Sequence, residues 1–556
     1  MGVFHHRKPQ LLGALATCVC VCAAVPLFYI VYHAAAADAA LWQRLLRGRL
    51  PQLAWQTLAL VAGVSVATCV VGVAAAWLVE RTDLPGRSVW RLLLSLPLAI
   101  PGYVVAVCYM FLLRRGGFVE QLAMNYLGFA RGEFPLPPLF SFWGVTAVMS
   151  LYAFPFVFLA VSGSLRVQDG ALEDAARVAG GTRVATFFRV TVPLLTPAIA
   201  GGVVLVGLYV FSDFGTVSLM RYQTFTTSIF REFAGVIGRG AASIMSLGLV
   251  VMILPLLFGQ ILVQRGQYTR SAQWRPPRPV RLGRMRGPAL VAVLLLVTLS
   301  LVIPVAVLGG LTIQSVIAPS MVDRIWGVSA LSVWRSGGNS LVLATGGATL
   351  AVILALFPAI LVVRHGGRYA RALGLLGKTA FALPGMIVGL GFLMLFIRTP
   401  IYATVAALVL ALAFRLLPQT ITLGEATLRT VPASLEQAAQ TAGRSPWATV
   451  WQVTVPLAIP GLISAWSLAF VTAMKELPLL MMLRPPGFDT LPVRVWEAAN
   501  DAVYTQAAPP ALLLVALTMC TLALVHRIGR FGIGTATDRS ATLRSGRAYD
   551  SSAEVG

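Results

Sequence analysis

Long apolar runs, parted by short polar and basic segments, dominate this chain. The hydrocarbon core of a bilayer, about 30 Å thick, is crossed by roughly 20 apolar residues in a helix. Twelve stretches fit, near 11–34, 53–79, 92–113, 141–165, 194–215, 242–264, 288–312, 338–363, 376–397, 400–422, 457–480 and 508–527. Only Arg398-Thr399-Pro400 parts the ninth from the tenth. Several stretches carry Pro or Gly, which a bundle tolerates because neighbouring helices satisfy the freed backbone groups. The pattern predicts an all-α polytopic membrane protein with about twelve transmembrane helices. The first stretch follows His5-His6-Arg7-Lys8 and ends at Ala34-Ala35-Ala36-Ala37, like a cleaved signal. Its length favours a retained span.

Composition agrees. The 556 residues are 58% hydrophobic and 11% charged, where a soluble domain carries about 25% charged residues. A water-soluble globule and a disordered chain are both excluded. The net charge of +23, from 43 Lys and Arg against 20 Asp and Glu, invites a nucleic-acid reading. The placement of the charges opposes it. With the N-terminus inside, most of the basic residues fall on inside segments, as the positive-inside rule requires. The densest is the Pro-rich linker 265–287, with Arg265, Arg270, Arg275, Arg278, Arg281, Arg284 and Arg286. It reads as an extended inside connector near anionic lipid heads. Residues 528–556 read as a disordered inside tail. The expected organisation is a first half over 1–264 (core 53–264), the linker, a second half over 288–527 (core 338–527) and the tail. The six cysteines all lie in apolar runs and read as small hydrophobes.

The chain also repeats itself. Leu172-Glu-Asp-Ala-Ala-Arg-Val-Ala-Gly180 matches Leu435-Glu-Gln-Ala-Ala-Gln-Thr-Ala-Gly443 at an offset of 263. Val190-Thr-Val-Pro193-Leu matches Val453-Thr-Val-Pro456-Leu at the same offset. Upstream, Ile100-Pro101-Gly102 echoes Leu383-Pro384-Gly385 at an offset of 283. Six spans per half make the two copies parallel, a pattern found among transporters. Each motif reads as a short inside helix between the fourth and fifth spans of its half. Leu172, Ala175, Ala176 and Ala179 share one face, small enough for close approach. Glu173 and Arg177 are spaced to pair. Asp169 is placed to cap the first helix, and Ser434-Leu-Glu-Gln437 reads as a capping box for the second. Gly180 and Gly443 suit left-handed helix stops.

On these residues the chain resembles the permease subunits of binding-protein-dependent ABC importers, and its fused halves resemble the ferric-iron and thiamine branches. Ser212-Asp213-Phe214-Gly215-Thr216-Val217 and Lys475-Glu476-Leu477-Pro478 look like the ferric-iron branch. The resemblance implies a type I importer permease fold of two six-helix repeats in a bacterial inner membrane, with both termini cytoplasmic. It implies that Glu173, Ala175, Ala176, Ala179 and Gly180, with Glu436, Ala438, Ala439, Ala442 and Gly443, form coupling helices. These would dock on a dimer of ATPase subunits at the cytoplasmic face. ATP and Mg would be held by that partner, with no cofactor on this chain. A substrate-binding protein would dock at the outer face, on loops 216–241 and 481–507, where Arg221 and Arg484 correspond.

Asp213 and Glu476 are also matched, at the outer ends of the fifth and eleventh spans. Acids near a membrane interior often mark an ion path, and hard cations prefer oxygen ligands. The sharp reading is two carboxylates facing a cation pathway with no firm metal site; the plain one is helix caps or interface partners. Pro101-Gly102 and Pro384-Gly385 read equally as pathway hinges or packed kinks. Gly377-Lys378-Thr379 resembles the end of a P-loop, but Ala372 replaces the required glycine and no strand precedes it. Lys378 reads instead as an interfacial anchor. The leading function is an ATP-driven importer permease for ferric iron; the alternative cargoes are thiamine, a phosphonate or a polyamine. A membrane-embedded enzyme would need titratable groups clustered within the spans, and the sequence offers no such cluster.

Overall fold

The computed structural model describes residues 10–234, 239–264, 279–317, 330–379, 383–521 and 523. Most of the linker and nearly all of the tail lie outside these residues. Runs rich in Leu, Val and Ala satisfy their own backbone only as helices in lipid, and helices account for nearly all the ordered structure. The first half comprises α1 (Gln10–Ala35), α2 (Ala39–Arg81), α3 (Arg87–Ser95), α4 (Gly102–Leu113), α5 (Phe118–Leu127), α6 (Phe142–Val167) and α7 (Ala171–Val178), then α8 (Phe187–Ser212), α9 (Gly215–Leu219), α10 (Phe225–Ala234) and α11 (Arg239–Gln264). The second half comprises α12 (Gly283–Ile317), α13 (Leu331–His365), α14 (Gly367–Thr379), α15 (Gly385–Phe396), α16 (Val405–Thr430) and α17 (Ala433–Thr441), then α18 (Pro446–Met474), α19 (Pro478–Leu483), α20 (Leu491–Asn500) and α21 (504–521). Read at the two sequence offsets, the halves correspond helix for helix, α5 apart. The protein is a multi-pass membrane protein.

Ten helical stretches among the described residues are long and apolar enough to cross a membrane. The expected count of about twelve is not reached: the ninth and twelfth expected spans are not among the ten, α15 being twelve residues long and α21 described over 504–521. The third and ninth spans also differ in course. Each is broken at its Pro-Gly pair. Residues 92–113 start in α3, tighten into a 3-10 turn at Leu96–Ala99 and resume at Gly102 as α4. Residues 376–397 start in α14 and resume as the twelve-residue α15. Proline lacks an N–H and pushes the preceding residue towards extended backbone. Accordingly Ile100 has ψ 123°, and Pro101 and Pro384 precede their helices with ψ 144° and 146°. These pairs are helix starts rather than kinks.

Small residues let the spans touch. A Cβ on Gly72 of α2 would sit 2.8 Å from Val157 of α6, and one on Gly202 of α8 would sit 2.8 Å from the same residue. Such close approach is how membrane helices gain packing energy when burial from water offers none. The corresponding Ala355, Thr420 and Ala465 are also buried. The halves exchange their first helices. Pro26 of α1 lies against Gly391 of α15, and Cys20 against Gly377 of α14. Reciprocally, Tyr109 of α4 donates to the Leu299 carbonyl of α12 at 2.7 Å. The first apolar stretch is thus a packed member of the bundle.

Polar pairs fix the amphipathic helices α3 and α14. Arg91 of α3 grips Glu80 through two 2.7 Å hydrogen bonds, with Arg166 at 3.2 Å. In the second half Lys378 of α14 reaches Glu425 at 2.7 Å, with Arg429 at 3.9 Å. The carboxylate has moved to the neighbouring helix while the arrangement persists. Lys378 therefore anchors α14 through an ion pair.

Candidate functional site

The two motif helices are built alike. Pro432 precedes α17, which places Ser434 inside the helix and leaves no capping box there. For α7 the N-cap is Gly170, and Asp169, one residue before it, accepts from the Ala171 N–H at 3.0 Å. Both helices end as the glycines predict. Gly180 and Gly443 each have φ +85°. The residue after each glycine donates back to Ala176 or Ala439, and the glycine itself to Arg177 or Gln440, all at 3.0–3.1 Å. That is a Schellman stop in both copies.

The motif glutamates do not pair along their own helix. Glu173 is buried, lies 3.4 Å from Arg81 at the end of α2, and accepts from the Thr191 hydroxyl at 3.0 Å. Arg177 instead faces Asp174 at 3.8 Å. Glu436 accepts from Arg364 at the end of α13 at 2.9 Å and from Thr454 at 2.8 Å. Arg81 and Arg364 correspond at the offset of 283, Thr191 and Thr454 at 263. Each motif glutamate is therefore a peg holding its helix beneath the second span of its half. The pairing with Arg177 fails because the glutamate faces inward and the arginine sideways. Sequence reading missed Arg81, Arg364, Thr191 and Thr454; their common offsets were the available signal. The opposite face stays open: Leu172, Ala175, Ala179 and Val178 are exposed, as are Leu435, Ala438 and Ala442, while Ala176 and Ala439 turn partly inward.

The matched acids lie where the halves meet. Asp213 follows α8 and accepts from the Thr216 and Val217 N–H groups at 3.0 and 3.2 Å, the Thr216 hydroxyl at 2.9 Å and Tyr152 at 3.3 Å. It caps the short α9. Glu476 follows α18, is buried, and accepts from the Leu479 N–H at 3.4 Å, capping α19. The Pro-Gly helix starts rest on these turns. A Cβ on Gly102 would overlap Tyr152 and Thr216, and one on Gly385 would overlap the Glu476 carboxylate. The positive N-terminus of α15 thus approaches Glu476, whereas that of α4 meets Tyr152 and Thr216, the partners of Asp213. The halves are not identical, because Arg415 occupies the position of Tyr152 and acts electrostatically on Glu476. Lys475 crosses between halves to the Leu98 carbonyl at 2.9 Å, and Trp496 reaches Ser218 at 2.8 Å.

Residues 347–531 match the family model described as binding-protein-dependent transport system inner membrane component. The chain is 28% identical over 525 residues, 92% of its length and 96% of the relative's, to the Fe(3+)-transport system permease protein FbpB 2 of Haemophilus influenzae. It is 24% identical over 479 residues to the ferric transport system permease protein FbpB of Actinobacillus pleuropneumoniae, covering 83% of this chain and 68% of that one. A putative 2-aminoethylphosphonate transport system permease protein PhnV of Salmonella choleraesuis is 27% identical over 254 residues, 96% of its own length but 45% of this chain. This chain is a membrane transport permease.

Within the permease, the segments expected as outer loops are largely folded inward. Thr216, Val217, Phe225, Thr226 and Ser228 are buried, and so are Leu483, Leu491 and Val493. Residues 216–241 and 481–507 therefore contain short helices that plug between spans, because their apolar residues recur at helical spacing. Residues 235–238 lie outside the described set. Arg221 remains exposed, whereas Arg484 is bound by Asp489 at 2.9 Å and Glu497 at 2.5 Å. No group of three or more His, Cys, Asp or Glu suited to a metal occurs among the described residues.

Proposed function

We propose that this permease forms the translocation pathway of an ATP-driven importer, and that its cargo is ferric iron handed over by a binding protein. One observation carries the transport mechanism: two matched motif helices, each pegged by its glutamate (buried Glu173, half-buried Glu436), each present an open small-residue face. Such paired rigid faces suit a two-fold dimer of ATPase subunits, which would hold the ATP and Mg. Ala175, Ala179 and Gly180, with Ala438, Ala442 and Gly443, make this coupling surface, while Glu173 and Glu436 hold it from behind and Ala176 and Ala439 turn partly inward. The motif side is the cytoplasmic side, with both termini there, in a bacterial inner membrane. The first half runs over 1–264 and the second to residue 527, joined by a linker that begins at 265 and gives way to α12 at Gly283 rather than at the expected 288.

The cargo reading rests on the likeness to ferric transport permeases over most of the chain. Asp213 and Glu476, with Pro101-Gly102 and Pro384-Gly385, form the closed constriction between the halves. Here the acids act mainly as caps. Asp213 is already bonded to four donors, and Glu476 is met by Arg415 and the Leu479 N–H. Opening would separate the helix starts at Gly102 and Gly385 from these caps and free the carboxylates to contact a passing cation. Proteoliposomes holding the permease with its ATPase and binding protein test the reading. ATP-dependent uptake of ferric iron, with no uptake of thiamine or 2-aminoethylphosphonate, is expected; the reverse selectivity would overturn the cargo assignment.

A further inference from the structure

A cavity of about 250 Å³ lies beneath the first motif helix, between the end of α2, α7 and the start of α8. Trp77, Phe187 and Phe188 supply apolar walls, and Val280 closes one side. Val280 is held there by backbone: its N–H donates to the Arg81 carbonyl at 2.7 Å, and its carbonyl accepts from the Asp83 N–H at 3.2 Å. The polar lining is unusual. Arg81 is only 2% exposed, yet its Nε and Nη1 lack hydrogen-bond partners. The Nε of Arg177 and the hydroxyl of Thr186, both on the same cavity, also lack them. Glu173, the carboxylate in this lining, is already shared between Arg81 Nη2 and Thr191.

The second half is different at the matched place. Arg364 gives Nε to Glu436, and its Nη2 serves Glu436 and the Val431 carbonyl. The unmet donors thus belong to the half that carries the linker contact. Leaving a buried charged donor unmet is costly. Two guanidinium groups and a hydroxyl beside aromatic walls fit an anion with several acceptor oxygens and an apolar or aliphatic body. Guanidinium forks match phosphate oxygens best.

We propose that this cavity binds a phosphate ester, held by Arg81, Arg177 and Thr186 and covered by Val280. Occupancy fixes the Arg81–Glu173 peg and so ties the linker to the docking position of α7 alone. The ester comes either from a membrane phospholipid headgroup or from a soluble organic phosphate. The site is independent of the transported cargo, so a failed uptake assay leaves it standing.

The test uses the purified full-length permease. Native mass spectrometry after delipidation measures retained phosphatidylglycerol, and calorimetry in detergent measures binding of glycerol 3-phosphate. Arg177→Gln with Thr186→Val leaves the Arg81–Glu173 peg in place and is expected to weaken binding roughly tenfold or more. Val280→Trp fills the cavity without removing charge and should abolish binding while thermal melting stays as in wild type. Arg444→Gln, an exposed charge in the second half, should change nothing. Retention of phosphatidylglycerol that glycerol 3-phosphate does not displace assigns a lipid; direct binding of glycerol 3-phosphate assigns a soluble ester. Binding of neither probe by wild type, or equal binding by the cavity variants, would overturn the proposal.

Discussion

At the scale of single residues, the motif glutamates are defined by what they touch. Glu436 is bonded to Arg364 and Thr454, each from a different element. Groups sharing one network couple by about 0.5–3 kcal/mol in double-mutant cycles. Glu436→Gln and Thr454→Val, alone and together, should therefore be non-additive in the thermal stability of the purified permease; strict additivity would contradict the peg. Asp213→Asn combined with Glu476→Gln keeps similar shape but removes both carboxylate charges at the constriction. Uptake of ferric iron should fall at least about tenfold, equivalent to roughly 1.4 kcal/mol, while ATPase co-purification persists. Full uptake by the double variant would remove these acids from the pathway.

At the scale of elements, the motif helix depends on its stop. A Cβ on Gly180 or Gly443 would meet nothing within 4 Å, so crowding is not the issue. The constraint is φ +85°, a backbone state that costs a side-chain-bearing residue about 1–2 kcal/mol. Gly443→Val should leave the protein in the membrane and reduce uptake, because the helix end rotates away from its docking position. Gly443→Asn should lose less, since Asn tolerates the left-handed region better. Equal activity of both variants with wild type would show that the stop is not needed. Much of this element was legible in sequence: the helix, its small-residue face and its glycine end all follow from local spacing. The Glu173–Arg177 pairing and the Ser434 capping box were misread. Local spacing cannot say which face turns inward, and the partners Arg81 and Arg364 lie far along the chain.

For the whole molecule, the exchange of first helices sets how the halves move together. A Cβ on Gly377 would sit 3.1 Å from the Sγ of Cys20, which is buried and free. Gly377→Cys should thus form a disulfide with the native Cys20 on mild oxidation. With a protease site added to the linker, the cut halves should remain one band on a non-reducing gel and separate on reduction. Separation under oxidising conditions would refute the exchange. The same architecture explains why the expected outer loops are buried: α9, α10, α19 and α20 fill the space between spans that the broken Pro-Gly helices leave.

The sequence by itself determined the membrane class, the two parallel halves, the matched motifs and the matched acids. Those follow from apolar run length and from repeated spacing, which are local and countable. Only the tertiary structure decided that Pro101-Gly102 and Pro384-Gly385 start helices seated on capped acids. It alone showed that Tyr152 bonds Asp213 while Arg415, its counterpart at the sequence offset, acts on Glu476, and that Arg81 carries unmet donors over a cavity. These depend on which residues distant in the chain meet in a bundle. In an apolar chain the few polar groups must find partners across the fold, so their meaning lies in contacts rather than in spacing.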